Sequence, residues 1–472
     1  MFNRILVANR GECAIRIIRS CKELGIETVA VFSEADAHAL HVKKADYPIT
    51  IGPDPVKSYL NIHRLIDIAV KEGCDAVHPG YGFLSENPDF AREVNRAGLC
   101  YIGPSPEAIQ NMGLKPRARA AMIAAGIPVI PGSDAALNNE QDALDQAHAM
   151  GYPVMLKAAA GGGGRGIRRC DNDQELCENY VITRREALTA FGSDELFMEK
   201  CIIEPHHIEF QILADQHGHC VHLFERDCSI QRRNQKLIEI APSSYLTPEM
   251  RETMGAVAVQ AAQAVDYVNA GTVEFLVDKD HRFYFMEMNT RLQVEHTITE
   301  TITGVDIVAQ QIAIASGLPL PFTQDELSYN GFAIEFRINA EDPKNNFLPT
   351  PGRITRYHSP GGLGVRIDGC VYAGYEIPPH YDSMCAKLTV WGPDWPHAVA
   401  RAKRALDEYD IRGVPTTLPF YRHVVASAPF LAGDFHTGFL LKYPEMLEFS
   451  SERRTENIAA AVAIAIATYA GL

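Results

Sequence analysis

Two periodicities alternate along the first hundred residues. Ile5 to Ala8 is a short apolar run, and the stretch from Ala14 places Ile15, Ile18, Cys21 and Leu24 on one helical face before stopping at Gly25. ETVAVF, YPITIG, DAVHPGYG and LCYIG read as further strands, and LNIHRLIDIAVKEG reads as a helix ending at Gly73. Strands that alternate with helices predict a doubly wound parallel sheet. From Gly113 the pattern changes. GLKPRARAAMIAAGIP predicts a helix with Lys115 near its start, and YPVMLKAAA a strand carrying Lys157. LFMEKCI predicts a short strand ending at Glu199 and Lys200, and PHHIEFQILAD an alternating strand with His207 and Glu209. ITGVDIVAQQIAIASG reads as one helix closed at Gly317. Strands resume at Gly331, where period two puts Glu335, Arg337 and Asn339 on one face, and HAVARAKRALDEYDIRG is an amphipathic helix. The whole is α/β and α+β, multidomain, with units at 1–113, 114–330 and 331–446 and a tail at 447–472. The Ala/Ile-rich tail reads equally as a frayed terminus or as a docking helix for another subunit.

Composition narrows the function. The 472 residues carry a formal net charge of −15, which makes nucleic acid an unlikely partner but leaves room for a local phosphate site. Eleven scattered cysteines without CxxC spacing, behind a start that lacks a signal peptide's apolar segment, predict reduced thiols in a cytoplasmic protein. The longest uninterrupted apolar run, Ile458 to Ala467, is too short to span a bilayer. The first strand runs into NRGE instead of the GxGxxG a dinucleotide requires, so a NAD site is not expected.

The densest chemistry lies in EMNTRLQVEH. Glu287, Asn289, Arg291, Gln293 and Glu295 all fall on odd positions, so an extended chain presents them on one face. Upstream, Gly271 to Val277 and Arg282 to Asn289 flank a four-residue loop, DKDH, and predict a hairpin that brings Glu274 beside Glu287. Two carboxylates so close need a proton or a cation between them, and no Lys or Arg is expected at the facing positions. With Asn289 on the same face, the donor set suits a hard cation such as Mg²⁺. A solvated edge strand or an ordinary salt bridge is the plainer alternative. Four glycines, Gly161 to Gly164, lie between Lys157 and Arg165 and predict a mobile phosphate-covering loop; a linker has the same composition. ERDCSIQRRNQKLIEIAPS packs polar groups between apolar runs, with Lys236 held by its apolar neighbours.

The succession NRGE, HPGYGFLSEN, MEK, RDCSIQRRNQK, EMNTRLQVEH and EFRINAEDP resembles biotin carboxylase of the ATP-grasp superfamily across roughly residues 1 to 446. The resemblance implies an N-terminal biotin carboxylase domain, a central ATP-grasp domain whose lid occupies about 132–202, and a C-terminal biotin carboxylase domain. It implies ATP- and bicarbonate-dependent carboxylation of biotin through carboxyphosphate, with Mg²⁺ or Mn²⁺ as cofactor. Lys115 and Lys157 are then expected to bind phosphates beneath the Gly161, Gly162, Gly163, Gly164 loop. Glu199, Lys200 and Ile202 are expected to take the adenine, and His207, Gln231, Asn234 and Leu276 to line the nucleotide site. Glu274, Glu287 and Asn289 are the implied metal ligands. Arg291, Gln293, the Val294 backbone, Glu295 and Tyr81 are implied at the bicarbonate and biotin end, with Glu295 the base, Arg337 stabilising the biotin enolate, and Lys236 also catalytic.

Two positions depart from the family pattern: Asn234 stands where many members have His, and Leu114 where an acidic residue precedes the lysine. The chain has no Met-Lys-Met biotin attachment site, so the resemblance implies a biotin carrier and carboxyltransferase on a separate chain. QVEHT, with Thr297 where acetyl-CoA carboxylase components carry Pro, resembles pyruvate carboxylases more closely, with the acetyl-CoA carboxylase component as the alternative. A catalytically inactive ATP-binding regulatory subunit is the alternative of another class. The family also implies a homodimer, through the first helix near Arg16 and the third unit near Arg366.

Overall fold

The alternating pattern of the first hundred residues folds into one parallel sheet. In the computed structural model, which describes residues 1–133, 135–159, 166–449 and 455–470, its order is β3-β2-β1-β4-β5, formed by β1 (Arg4–Val7), β2 (Glu27–Ser33), β3 (Tyr47–Gly52), β4 (Ala76–His78) and β5 (Cys100–Tyr101). The helix Gly11–Glu23 buries Ile15, Ile17, Ile18 and Cys21. At the carboxyl ends of β1 and β4 the two polar loops are tied together. The Asn9 amide donates to the carbonyls of Pro79 and Tyr81, each at 2.8 Å. Gly80 sits there at φ +65°, where a Cβ would come within 2.5 Å of Cys13 Sγ, so this approach requires glycine.

A three-stranded antiparallel sheet, order β7-β6-β8, follows: β6 (Val154–Ala158), β7 (Ile167–Cys170) and β8 (Leu196–Lys200). The helices Glu140–Met150 and Asp173–Phe191, capped by the side chains of Asn139 and Asn172, cover it around Ala143, Ala147, Leu176 and Tyr180. This small core is separate from the others. The predicted glycine loop, Gly161 to Gly164, lies outside the described residues.

The largest sheet is antiparallel, with order β13-β12-β9-β10-β11-β14-β16-β15. Its strands are β9 (His206–Ala214), β10 (Cys220–Arg232), β11 (Gln235–Ala241), β12 (Asn269–Val277), β13 (Phe283–Asn289), β14 (Phe332–Asn339), β15 (Val365–Gly369) and β16 (Met384–Gly392). Since β14 pairs with β11, the three long strands after residue 331 extend the central sheet, while the short strands between and after them form three two-stranded sheets. β10 and β11 turn through Arg233 (φ 50°) and Asn234 (φ 64°), both left-handed, a conformation Asn tolerates better than most residues.

Three local expectations are corrected. The stretch 302–317 read as one helix instead takes in the end of one, His296–Thr303, and the whole of another, Ile307–Ala315: Gly304 ends the first at φ +74°, and Asp306 caps the second by accepting from the Ala309 N–H. The β12–β13 loop has five residues, because Val277 pairs with Phe283 and the Asp278 carboxylate holds the backbone N–H groups of Asp280 and Arg282. That length alone would put Glu274 opposite Met286. A register shift between Glu274 and Phe275 restores the Glu274–Glu287 pair. Finally, Glu274 does face a cation, but from another strand, as the site geometry shows. In the tail, Thr455–Ala470 is helical, with Val462, Ile464, Ile466 and Tyr469 exposed. No helix among the described residues is long and apolar enough to cross a membrane.

Candidate active site

The carboxyl ends of β1 and β4, the inner face of β6–β8 and the strands β9 to β14 enclose a cleft of about 1600 Å³. All the residues that the resemblance assigns to the nucleotide, metal, bicarbonate and biotin sites line it, apart from the four glycines outside the described residues. Hairpin register places Glu274 and Glu287, and strand parity places Arg337. The turn after β13 places the others: the chain leaves the sheet at Asn289, so Arg291, Gln293 and Glu295 reach the cleft from a turn and not from one straight strand.

Lys236 is the centre of the arrangement. Its ammonium donates to Glu209 Oε2 at 2.5 Å, Glu295 Oε1 at 2.7 Å and Glu274 Oε1 at 3.0 Å. Burial pulls this lysine's pKa down, yet the surrounding acidic groups hold it well above the ordinary value. The neighbouring Cys228 thiol is pushed up by its own burial and stays neutral, so the three carboxylates supply the charge. Arg226, fully buried, reaches Glu209 from behind and also donates to Gln211 at 2.8 Å and Thr299 at 2.9 Å.

At the nucleotide end, His207 Nε2 lies 2.6 Å from Glu274 Oε2, and the Gln231 amide donates to His207 Nδ1 at 2.6 Å, which leaves the ring proton on Nε2. Asn289 and Gln293 donate to Glu274 Oε1 at 2.7 and 3.2 Å. Burial pushes the Glu274 carboxyl up, but Lys236 and His207 outweigh it and hold it well below the usual range. Glu287 behaves oppositely. No hydrogen bond reaches its carboxylate among the described residues, and burial together with Glu274 raises its pKa, with Lys115 as the first opposing charge. A half-buried carboxylate without a donor beside a second, buried one that is ionised is a donor set fitted to a divalent cation. Lys157 pairs with Glu199, and Lys200 donates to the carbonyls of Gly151 at 2.7 Å and Tyr152 at 3.1 Å.

At the other end, Arg291 spans Glu86 Oε2 (2.9 Å), Gln293 Oε1 (2.9 Å) and Asn289 Oδ1 (3.1 Å). Arg337 donates to Glu295 Oε2 at 2.9 Å and Glu239 Oε1 at 2.6 Å. Burial and Glu209 push the Glu295 carboxyl up, while Lys236, Arg337 and Arg226 hold it below the usual value. Burial raises Glu239 to about 7 despite Arg337. Outside the cleft, Arg16 and Arg366 converge on Glu300 at 2.8 and 2.7 Å. Arg226, Glu86 and Glu239 were not singled out from sequence. Each acts through partners distant in the chain, and only the polar density around Glu225 to Ser243 pointed toward two of them, Arg226 and Glu239.

Three family descriptions match in succession: "Biotin carboxylase, N-terminal domain" over residues 1–109, "Carbamoyl-phosphate synthase L chain, ATP binding domain" over 115–323, and "Biotin carboxylase C-terminal domain" over 335–442. The chain is 51% identical over 472 residues to the 2-oxoglutarate carboxylase small subunit of Hydrogenobacter thermophilus, covering 100% of both. It is 53% identical over 444 residues to a pyruvate carboxylase subunit of Methanothermobacter thermautotrophicus, covering 94% of this chain and 90% of that one. The crystal structure of the Hydrogenobacter thermophilus 2-oxoglutarate carboxylase biotin carboxylase domain dimer, in complex with MgADP, ADP and bicarbonate, superposes with a TM-score of 0.94 at 51% identity, over 96% of this chain and 100% of that one.

Proposed function

Because the chain belongs to the biotin carboxylase family and is an ATP-dependent ligase using Mg²⁺, bicarbonate and biotin, we propose that the cleft divides at Lys236 into a nucleotide half and a bicarbonate half. The observation that carries this is the single ammonium bonded at once to Glu274 of one half and Glu295 of the other. In the nucleotide half Lys115 and Lys157 bind phosphates, Glu199, Lys200 and Ile202 take the adenine, and His207, Gln231, Asn234 and Leu276 line the remainder. Glu274, Glu287 and Asn289 hold the metal, whose chemistry is to neutralise charge on the transferring phosphoryl group.

In the other half Arg291, Gln293 and the Val294 amide orient bicarbonate, and Glu295 takes its proton as it attacks the γ-phosphoryl group. The products of that step are ADP and carboxyphosphate. Carboxyphosphate then gives CO₂ and phosphate, the phosphate removes the biotin N–H proton, and the ureido nitrogen attacks CO₂. Arg337 stabilises the enolate oxygen, a charge present only while biotin is deprotonated, and Tyr81 lines the biotin approach. Biotin arrives on a separate carrier and carboxyltransferase subunit of a two-subunit pyruvate carboxylase. The end-to-end similarity to a 2-oxoglutarate carboxylase small subunit favours a second acceptor of the same class, a 2-oxo acid. The working unit is a homodimer.

The test is phosphate release from ATP by the purified chain. It should require both bicarbonate and free biotin; release with ATP alone, or none under any combination, would overturn the reading. The acceptor is read separately, by which 2-oxo acid turns over once the carboxyltransferase subunit is added.

A further inference from the structure

Lys387 lies on β16, beside Arg337 on one neighbouring strand and Asp368 on the other, and is fully buried. A lysine so placed needs a reason. Its ammonium donates to the backbone carbonyl of Val294 at 2.8 Å and sits 3.2 Å from Glu12 Oε2 in the first helix. Both Glu12 oxygens are buried and take no other hydrogen bond among the described residues. One ion pair thus joins the N-terminal sheet unit, the last strands of the central sheet and the turn that carries Gln293, Val294 and Glu295.

The carbonyl it holds belongs to the peptide leading into Glu295. The preceding carbonyl, of Gln293, is held by His296 Nδ1 at 2.7 Å. Both oxygens are therefore engaged by side chains, and neither is free to turn its negative end toward an anion in the cleft. A site for bicarbonate requires that, because a carbonyl oxygen facing a bound anion is repulsive while an N–H is attractive.

We propose that Lys387, with Glu12 as its counter-charge, is the positioning residue of the anion-binding turn: it fixes the Val294–Glu295 peptide so that the turn presents amide hydrogens and the Glu295 side chain, and no carbonyl, to bicarbonate. This rests on the placement of bicarbonate at residues 291–295 proposed above. Lys387 itself touches no substrate.

The test is a bicarbonate titration of phosphate release at saturating MgATP and biotin, on Lys387→Met and on the double variant Glu12→Gln/Lys387→Met. The double variant removes both buried charges, so it leaves no uncompensated ion and remains informative if the single variant fails to fold. The expected result is a bicarbonate KM raised about tenfold or more, the loss of one charge-assisted hydrogen bond, with the KM for ATP within about twofold of the parent. Lys387→Arg, which keeps a donor, should restore part of the loss. An unchanged bicarbonate KM in the folded double variant, or ATP and bicarbonate constants that rise together, would overturn the proposal. Arg291→Ala measured alongside separates the two levels. If it raises the bicarbonate KM while Lys387 variants do not, only the positioning role fails; if neither does, the bicarbonate site itself is misplaced.

Discussion

Replacing Glu295 by Gln tests the base at the meeting point of the two halves. The carboxylate is about 1% exposed and accepts from Lys236 at 2.7 Å through one oxygen and from Arg337 at 2.9 Å through the other. Glutamine keeps the shape but turns one acceptor into an N–H₂ facing a cation. One charge-assisted hydrogen bond is lost, roughly 1.5–3 kcal/mol locally, and with it the group that takes the bicarbonate proton. Loss of a positioned base slows a proton transfer by about 10²–10⁴, or roughly 2.7–5.4 kcal/mol of barrier at 1.36 kcal/mol per tenfold. The assay is phosphate release against bicarbonate at saturating MgATP and biotin, with ADP binding measured by calorimetry. Binding should stay within about twofold of the parent, because Glu295 lies at the far side of Lys236 from the nucleotide residues. Turnover within about threefold of the parent would refute Glu295 as the base. The parent also carries a pH signature. Since Lys236 and Arg337 hold Glu295 below the usual carboxylate range, it is ionised throughout neutral pH, and its protonation should not limit the rate until the pH falls through that lowered value.

Glu287→Gln should weaken the apparent Mg²⁺ affinity in the same assay by about tenfold or more, since it removes the unpaired charge facing Glu274; an identical Mg²⁺ titration would contradict the metal assignment. Arg226→Met leaves Glu209 buried with Lys236 alone and should cost about 3–5 kcal/mol of stability in a urea melt, against roughly 1 kcal/mol or less if the arginine merely fills space. Glu274 has a depressed pKa in the folded chain, so its contribution to stability is present above the unfolded value and is lost as pH falls through the folded one. Thermal melts of Glu274→Gln should therefore show a shallower loss toward low pH than the parent, and parallel curves would show that the His207 and Lys236 contacts do not act as described.

The parallel sheet and its helices were legible because period 2 and period 3.6 separate cleanly there. The Glu274–Glu287 pair was legible for a less secure reason: the parity argument assumed a four-residue loop, and a five-residue loop combined with a bulge returned the same register. Residues 302–317 read as one helix although Gly304 falls near their start, because a glycine within a helical pattern does not announce whether it ends the helix. The contacts that tune the site were invisible in principle. Arg291 meets Glu86 across 205 residues of sequence, and Lys387 meets Val294 across 93. No local periodicity reports a partner at that distance. Sequence therefore named the side chains pointing into the cleft, while structure named the ones that hold them.

Those holding contacts also say how the cleft must respond to its substrates. Four cations in it already have carboxylate partners on the chain: Lys157 has Glu199, Arg291 has Glu86, Arg337 has Glu239 and Glu295, and Lys236 has three carboxylates. ATP and bicarbonate bring more negative charge to the same cations, and two anions cannot share one partner at full strength. Binding is consequently an exchange, in which phosphate or bicarbonate oxygens replace carboxylates and the displaced carboxylates require a new counter-charge. Glu274 and Glu287, opposite each other in register, are where a divalent cation meets that requirement. Nucleotide and metal should thus bind cooperatively, each raising the other's affinity by the same factor. Calorimetric titration of ADP with and without Mg²⁺ measures that factor, and a factor near one would mean that the internal ion pairs survive binding.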